Sequence, residues 1–378
     1  MPKPIICCVV GTRPEAIKMA PVVLELRRFS PEVDTVLIST GQHREILNES
    51  LSAFGISSDE DLAIMQHGQT LAQVTSRALD GLDALLAKIN PSLVIAQGDT
   101  TTTFSAAMAA FYQRIKFAHI EAGLRTESIL SPFPEEFNRR AASLISAWDF
   151  PPTTWAKDNL LREGKDSSRV IVTGNTGIDA VLLMADRPGI EWFPHHPGRL
   201  ILLTTHRREN WGEPQKNIAR ACVRLVNAFD DVRLVVALHP NPAVREALTA
   251  ILGGHPQIDL IEPPPYEQFV HLMKRCYLIL SDSGGVQEEA PAFGIPVLVL
   301  RETTERPEGV TAGTAKLVGT SEGRIFREGY GLLSDLNAYG QMANAVSPYG
   351  DGRSSARVRY TLLSDLGISS EEPVSWNY

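Results

Sequence analysis

Ile5-Ile6-Cys7-Cys8-Val9-Val10, followed at once by Gly11-Thr12-Arg13-Pro14-Glu15-Ala16-Ile17-Lys18, decides the fold class. Six apolar residues in a row, without polar alternation, fit a strand buried on both faces. Gly11 turns the chain, and Pro14 can open a helix because its missing N–H is not needed in a first turn. Such a strand, feeding directly into a helix, belongs in a parallel sheet covered on both sides.

The same alternation recurs outward from this stretch. Val33–Thr40, Ser92–Gln97 and Ile115–Ile120 read as strands, being short, rich in β-branched residues and ended by Gly or polar clusters. Glu15–Phe29, Arg44–Phe54, Thr70–Lys88 and Phe104–Gln113 read as helices. The pattern then restarts with strands at Leu200–Thr205, Leu234–Leu238, Ile258–Ile261, Tyr277–Ser281 and Pro296–Leu300. Arg187–Pro197, with its prolines, a glycine and His195-His196, reads as the linker. The expectation is an α/β chain of two doubly wound domains facing a central cleft, with ligands bound beyond the carboxyl ends of the strands. The domains are expected at 1–186 and 198–352. Residues 353–378 form a C-terminal helix and tail expected to pack back on the first domain.

Bulk composition narrows the function. A length of 378 residues exceeds one ordinary core. With 43% hydrophobic and 21% charged residues the chain is of globular type. A net charge of −8 argues against nucleic acid as a partner. No apolar run reaches the roughly 18 residues of a membrane span, so no membrane is expected. The apolar N-terminus meets Gly-Thr-Arg-Pro without a small-residue cleavage site and reads as a strand, not a signal peptide. Cys7, Cys8, Cys222 and Cys276 show neither metal spacing nor a disulfide framework, which suits a cytoplasmic protein. The nine His are scattered, so no metal is expected.

Four clusters carry candidate chemistry, each just after an expected strand. Arg13 and Lys18 sit near a helix start, where anions are favoured; a solvated first turn explains them equally well. Ser281-Asp282-Ser283-Gly284-Gly285-Val286-Gln287-Glu288-Glu289 places paired glycines between strand and helix. Backbone there can approach a diphosphate, and Glu289 can accept from ribose hydroxyls. The pattern is not GxGxxG, so a nicotinamide dinucleotide is not indicated. Asp99, Glu121 and the pair Glu135-Glu136 form the third cluster. Singly each has an ordinary structural explanation: Asp99 as a helix cap through Thr102 and Thr103, Glu121 as a solvated strand end, Glu135 and Glu136 as helix-dipole partners. Together they suit proton transfer. Adjacent helical residues point about 100° apart, so Glu135 and Glu136 cannot share one site, and spacing does not choose between them. The fourth cluster is His206-Arg207-Arg208-Glu209-Asn210, with His239-Pro240-Asn241-Pro242 and Thr304-Glu305-Arg306-Pro307 at neighbouring strand ends. His206 and the arginines read as diphosphate contacts, with at least one Arg held in a structural ion pair, whereas a turn built by two prolines explains His239-Pro240-Asn241-Pro242 as well as a ligand contact does.

These runs together resemble the non-hydrolysing UDP-N-acetylglucosamine 2-epimerases. The resemblance rests on GTRPEAIKMAP at 11–21, GQHRE at 41–45, GDTTTT at 98–103, HIEAGLRT at 119–126, PFPEEFNRR at 132–140, TGNT at 173–176, HRREN at 206–210, the run from DSGGVQEEAP to TTERPE within 282–308, and YGDG at 349–352. It implies two Rossmann-like domains of GT-B-like type. It implies Asp99, Glu121 and Glu135 as the catalytic acids, with His206 beside the diphosphate. It implies Arg13, Lys18, His206, Ser283, Gly284, Gly285, Glu289 and Arg306 as substrate contacts. The partners implied are UDP-N-acetylglucosamine, UDP and a second copy in a homodimer. Pro263-Pro264-Pro265 and Gly177 depart from the family pattern. Gln42 and His43 match part of a second, regulatory site in some relatives, but Gly68 stands where regulated members carry Arg. Regulation by substrate is left open, with Gly68 weighing against it.

The implied reaction inverts carbon 2 of the sugar. The hydrogen there is not next to a carbonyl, so elimination of UDP to a bound 2-acetamidoglucal, followed by re-addition, is the accessible route. It calls for acids on two faces of the sugar and no cofactor. The alternatives are a hydrolysing epimerase, a glycosyltransferase and a non-catalytic nucleotide-sugar sensor.

Overall fold

A computed structural model describes residues 3–41, 44–188 and 193–378. Gln42 and His43, and positions 189–192 of the expected linker, lie outside the described residues.

The first sheet contains β1 (Ile5–Val10), β2 (Asp34–Ser39), β3 (Glu60–Asp61), β4 (Leu93–Gln97), β5 (Lys116–Ile120) and β6 (Trp148–Phe150). Its order is β3-β2-β1-β4-β5-β6, and its pairings are parallel. β1 lies at the centre with Ile6 to Val10 fully buried, as an unbroken apolar run requires. The second sheet contains β7 (Arg199–Thr204), β8 (Val232–Ala237), β9 (Ile258–Ile261), β10 (Leu278–Ser281), β11 (Val297–Val299) and β12 (Ala315–Leu317). Its order is β12-β11-β10-β7-β8-β9, again parallel. Both sheets reverse their winding direction once, between β1 and β4 in the first and between β7 and β10 in the second.

Helices pack on these sheets through apolar stripes. Leu82, Leu85 and Leu86 of the helix Leu71–Ile89 join Val94 and Ala96 of β4 in one core cluster. Ile218, Cys222 and Leu225 of the helix Glu213–Ala228 join Leu234 and Val236 of β8 in another. Each fully buried Leu or Ile contributes about 1.5–3 kcal/mol. Chain contacts divide the molecule into two compact units, Met1–Ala180 with Tyr349–Tyr378, and Val181–Pro348. In the first unit the helix Ser354–Asp365 packs on the helix Arg13–Arg27. Its first N–H groups, those of Ser354 and Ser355, donate to the buried Asp179 carboxylate at 3.1 and 2.7 Å.

Three strands had no sequence signal: β3, β6 and β12. Each has only two or three residues and lies at a sheet edge, so none needs the long apolar run of a central strand. One helix also starts earlier than its pattern suggested, at Thr101 rather than Phe104. Its cap is Thr100, whose Oγ1 accepts from Thr103 N at 3.3 Å, so Asp99 is not used as the cap.

Candidate active site

In the first unit the loops after β1, β4 and β5 meet beside the point where the sheet changes direction. Gly11 makes this close approach possible: a Cβ there would fall on Thr102 Oγ1 and lie 2.5 Å from Thr40 Oγ1. Glu15, 2% exposed, ties two of the loops together. Its carboxylate accepts from Gly11 N at 2.9 Å, Thr12 N at 2.7 Å and Thr103 Oγ1 at 3.2 Å, and from Thr100 Oγ1. Burial pushes the Glu15 carboxyl above its ordinary value, and these hydrogen bonds offset part of that.

Around this knot lie three carboxylates. Glu121 follows β5 directly and takes φ 59°, in the left-handed region that costs a non-glycine residue about 1–2 kcal/mol. Its Oε2 accepts from Lys18 Nζ and from Gln97 Nε2, each at 2.6 Å. Asp99 follows β4 and pairs with Arg139, while its carbonyl accepts from Asn138 Nδ2 at 3.0 Å. Burial raises the Asp99 carboxyl; Arg139 pulls it down, Glu121 and Glu135 push it up, and Lys18 pulls it down, leaving it raised. The charges of Glu121, Glu135 and Lys18 thus all reach Asp99.

The helix Glu135–Ile145 separates its two leading acids. Glu136 is fully buried; Arg140 Nε donates to its Oε1 at 2.6 Å, and Thr126 N donates to its Oε2 at 3.1 Å. Arg139 adds a cation 3.5 Å from Oε2. Glu136 is therefore committed to holding the helix start, and the half-buried Glu135 is the one beside Asp99. Arg13 opens the helix Arg13–Arg27 with its side chain exposed. Lys18 is not a solvated charge: it is the partner of Glu121, with side chains only 15% and 10% exposed.

In the second unit the corresponding sheet ends converge on Asp282, which is fully buried after β10. Its carboxylate accepts from Thr205 Oγ1 at 2.8 Å, His206 N at 3.0 Å, Arg207 N at 3.0 Å and Asn210 Nδ2 at 2.9 Å. His206 Nδ1 lies 3.0 Å from the same group. Burial would raise the Asp282 carboxyl, but His206 and these donors outweigh it and hold it below its ordinary value. The His206 ring is thus fixed on its Nδ1 side, while the side chain stays 42% exposed. His239 stacks beside it, with ring centroids 6.2 Å apart.

Ser283 precedes the short helix Gly284–Glu289. A Cβ at Gly284 would lie 2.6 Å from Arg306 Cζ, so a side chain there would push the guanidinium from its place. Arg306 Nε in turn donates to Glu288 Oε1 at 2.6 Å, and Glu305 lies 3.3 Å from its Nη1. Burial works against ionisation of Glu305, yet Arg306 and Arg301 hold its carboxyl down at about 2. Arg207 is the structural arginine of its cluster, pairing with Glu305 at 2.9 Å. Gly285 has space above it, its nearest would-be neighbour being Glu289 Oε1 at 3.8 Å. His206, Ser283, Gly284, Gly285, Glu289 and Arg306 therefore belong to the second unit; Arg13, Lys18, Asp99, Glu121 and Glu135 belong to the first.

Sequence reasoning gave no role to Glu15, Arg139 or Asp282, on which both clusters rest. Thr12-x-x-Glu15 is a capping-box spacing, a signal that points to Glu15. Nothing comparable marks Asp282 or the pairing of Arg139 with Asp99, since these partners lie far away in sequence. Among the described residues no His, Cys, Asp or Glu cluster could hold a metal ion, and no helix is long and apolar enough to cross a membrane.

Comparison with known proteins gives these clusters a family. The UDP-N-acetylglucosamine 2-epimerase from Bacillus subtilis is 50% identical over 375 residues, covering 97% of each chain. The enzyme of that name from Escherichia coli K12 is 46% identical, covering 94% of this chain and 98% of its own. A crystal structure of UDP-GlcNAc 2-epimerase from Neisseria meningitidis bound to UDP-GlcNAc superposes with a TM-score of 0.86 at 46% identity, covering 95% of this chain and all of that one. The two Rossmann-like sheets are those of the GT-B-like fold of solved UDP-GlcNAc 2-epimerases. A family model described as UDP-N-acetylglucosamine 2-epimerase matches residues 25–363, and the chain belongs to that family.

Proposed function

We propose that the chain interconverts UDP-N-acetylglucosamine and UDP-N-acetylmannosamine without net hydrolysis. The observation that carries this reading is the grouping of Asp99, Glu121 and Glu135 in one neighbourhood of the first unit. One carboxylate takes the proton from carbon 2 while the bond from carbon 1 to the UDP oxygen breaks. The C–H electron pair becomes the double bond of 2-acetamidoglucal, and UDP leaves with the bonding pair. A second acid returns a proton to the opposite face of carbon 2, and UDP re-forms its bond to carbon 1. Two carboxyl groups in unlike surroundings suit this exchange: Asp99 is half-buried with Arg139 as its partner, and Glu121 is held by Lys18 and Gln97.

The second unit supplies the groups for the nucleoside diphosphate. His206, held by Asp282, and Arg306 offer hydrogen-bond donors and positive charge to the leaving group. The open backbone at Gly285 admits close approach of phosphate oxygens, and Glu289 serves the ribose hydroxyls. Arg13, exposed at the start of its helix, is a further proposed substrate contact.

Incubation with UDP-N-acetylglucosamine in deuterated water tests this reading. It expects deuterium at carbon 2 together with the UDP-bound manno product. Free N-acetylmannosamine and UDP would instead identify a hydrolysing enzyme, and binding without exchange a sensor. Asp99→Asn, Glu121→Gln and Glu135→Gln are each expected to lower turnover about 10²-fold or more. Glu289→Ala is expected to weaken UDP binding in calorimetry with the fold intact. The partner in this reading is a second copy of the chain.

A further inference from the structure

His119 is fully buried in β5, two residues before Glu121, yet the proposed chemistry gives it no task. Its Nε2 lies 2.7 Å from the carbonyl oxygen of Gly98. A carbonyl can only accept, so Nε2 carries the hydrogen and Nδ1 carries the lone pair. Nδ1 faces Ser143 Oγ at 3.4 Å and Asp149 Oδ1 at 4.0 Å. Asp149 is already matched by Lys165 Nζ at 2.9 Å and Ser146 Oγ at 2.7 Å, so it does not demand an imidazolium. Burial also lowers the affinity of His119 for a second proton, which keeps the ring neutral.

Gly98 sits at φ 82° immediately before Asp99. Glycine tolerates several orientations of the peptide that follows it, so this bond needs outside restraint. Gly98 N donates to Ile120 O at 3.0 Å, and Asn138 Nδ2 holds the next carbonyl. The His119 bond fixes the remaining polar group, the Gly98 carbonyl. The turn that carries Asp99 is thereby tied to the strand that leads to Glu121, and through Asn138 to the helix that begins with Glu135.

We infer that His119 is a positioning residue: by donating from Nε2 to the Gly98 carbonyl it aims the Asp99 carboxylate relative to Glu121 and Glu135. This rests on the catalytic reading of Asp99. A buried histidine of purely structural value would be replaceable by Phe at little cost to the chemistry.

The experiment compares wild type, His119→Phe, which keeps a ring and loses the donor, and His119→Gln, which can place an amide N–H near the same carbonyl. His119→Phe is expected to lower kcat about 30-fold with KM within about 2-fold, since small misplacement of a reacting group is costly. His119→Gln is expected to recover to within about 5-fold of wild type. The Asp99 carboxyl titration, followed by carbon NMR, is expected to move in His119→Phe and return in His119→Gln. Equal kcat losses in both variants, or an unmoved Asp99 titration in His119→Phe, overturn the inference. Nitrogen NMR of wild type must show the Nε2–H tautomer; the Nδ1–H form also overturns it, even if no variant folds. Should wild type fail to exchange the carbon-2 hydrogen, the functional reading falls, and the titration and tautomer still decide the positioning claim.

Discussion

His206 Nδ1 lies 3.0 Å from Asp282 Oδ1, so the ends of β7 and β10 are joined at the point where the second sheet reverses direction. Asp282→Asn replaces an acceptor-only group with one that must point hydrogens at donors. With Asp282 fully buried, the expected cost is about 2–4 kcal/mol of stability, with UDP affinity falling about 10-fold as His206 loses its anchor. The pH sign follows from the depressed carboxyl. Its stabilising contribution is complete above the unfolded value near about 4 and is lost as pH falls through the lower folded value. Urea unfolding should therefore separate wild type from Asp282→Asn at pH 7, and the gap should narrow in strong acid. A gap that stays constant into strong acid would remove Asp282 as the ionised anchor.

Asp99 supplies a titration with two opposite predicted displacements. Glu121 pushes its carboxyl up and Arg139 pulls it down. Glu121→Gln should move the Asp99 midpoint to lower pH, and Arg139→Gln should move it to higher pH, beyond its already raised position. Carbon NMR of the labelled carboxyl reads both. Shifts of the same sign in the two variants would contradict the charge arrangement around Asp99.

Gly284 and Gly285 are neighbours with different reasons to be glycine. A Cβ at position 284 meets the Arg306 guanidinium, whereas at 285 it meets only Glu289 at ordinary contact distance. Gly284→Ala should displace Arg306 from Glu288 and weaken UDP binding about 10-fold, a size expected when one charge-assisted contact is lost. Gly285→Ala should leave the melting temperature unchanged, so any loss of UDP affinity reports blocked ligand approach. Unchanged UDP binding in both variants would remove this turn from the nucleotide site.

Much of this architecture was legible because central parallel strands announce themselves. β1 and β9 have the bounds their residues suggest, and the other expected strands differ by at most two residues at either end. Edge strands were silent: Glu60–Asp61 is acidic and two residues long, and only its pairing with Ile38 and Ser39 makes it a strand. The site divides along the same line. Acids after strands can be seen in sequence, but their buried partners cannot. Glu15 with Thr103, Asp99 with Arg139 and His206 with Asp282 join residues 40 to 88 positions apart. No local pattern encodes such pairs. The choice between Glu135 and Glu136 is of another kind, because the i,i+3 and i,i+4 ion pairs of Glu136 with Arg139 and Arg140 are a local pattern that marks Glu136 as structural.

The first unit carries an apolar face whose partner in the proposed reading is a second copy of the chain. Phe104, Met108 and Phe111 follow one stripe of the helix Thr101–Tyr112, and Phe137, Ala141 and Leu144 follow one stripe of the helix Glu135–Ile145, both at i, i+4, i+7 spacing. Phe104 and Phe137 bring the stripes together, their ring centroids 5.6 Å apart. Phe111, Tyr112, Phe137 and Leu144 are 56%, 59%, 47% and 82% exposed, an unusual concentration for a helix pair that packs on a sheet. A stable dimer buries roughly 1,200 Å² or more in total, and a central cluster of aromatic anchors is what such an interface requires. Leu144→Glu places a charge in that cluster while touching little of the protomer's own core. It should convert the dimer to a monomer in analytical ultracentrifugation without lowering the unfolding midpoint of the isolated protomer. Leu336→Glu, a similarly exposed position at 79% on the second unit, should leave the assembly unchanged. An undisturbed dimer in Leu144→Glu, or a monomeric wild type, would rule out this face as the contact between copies.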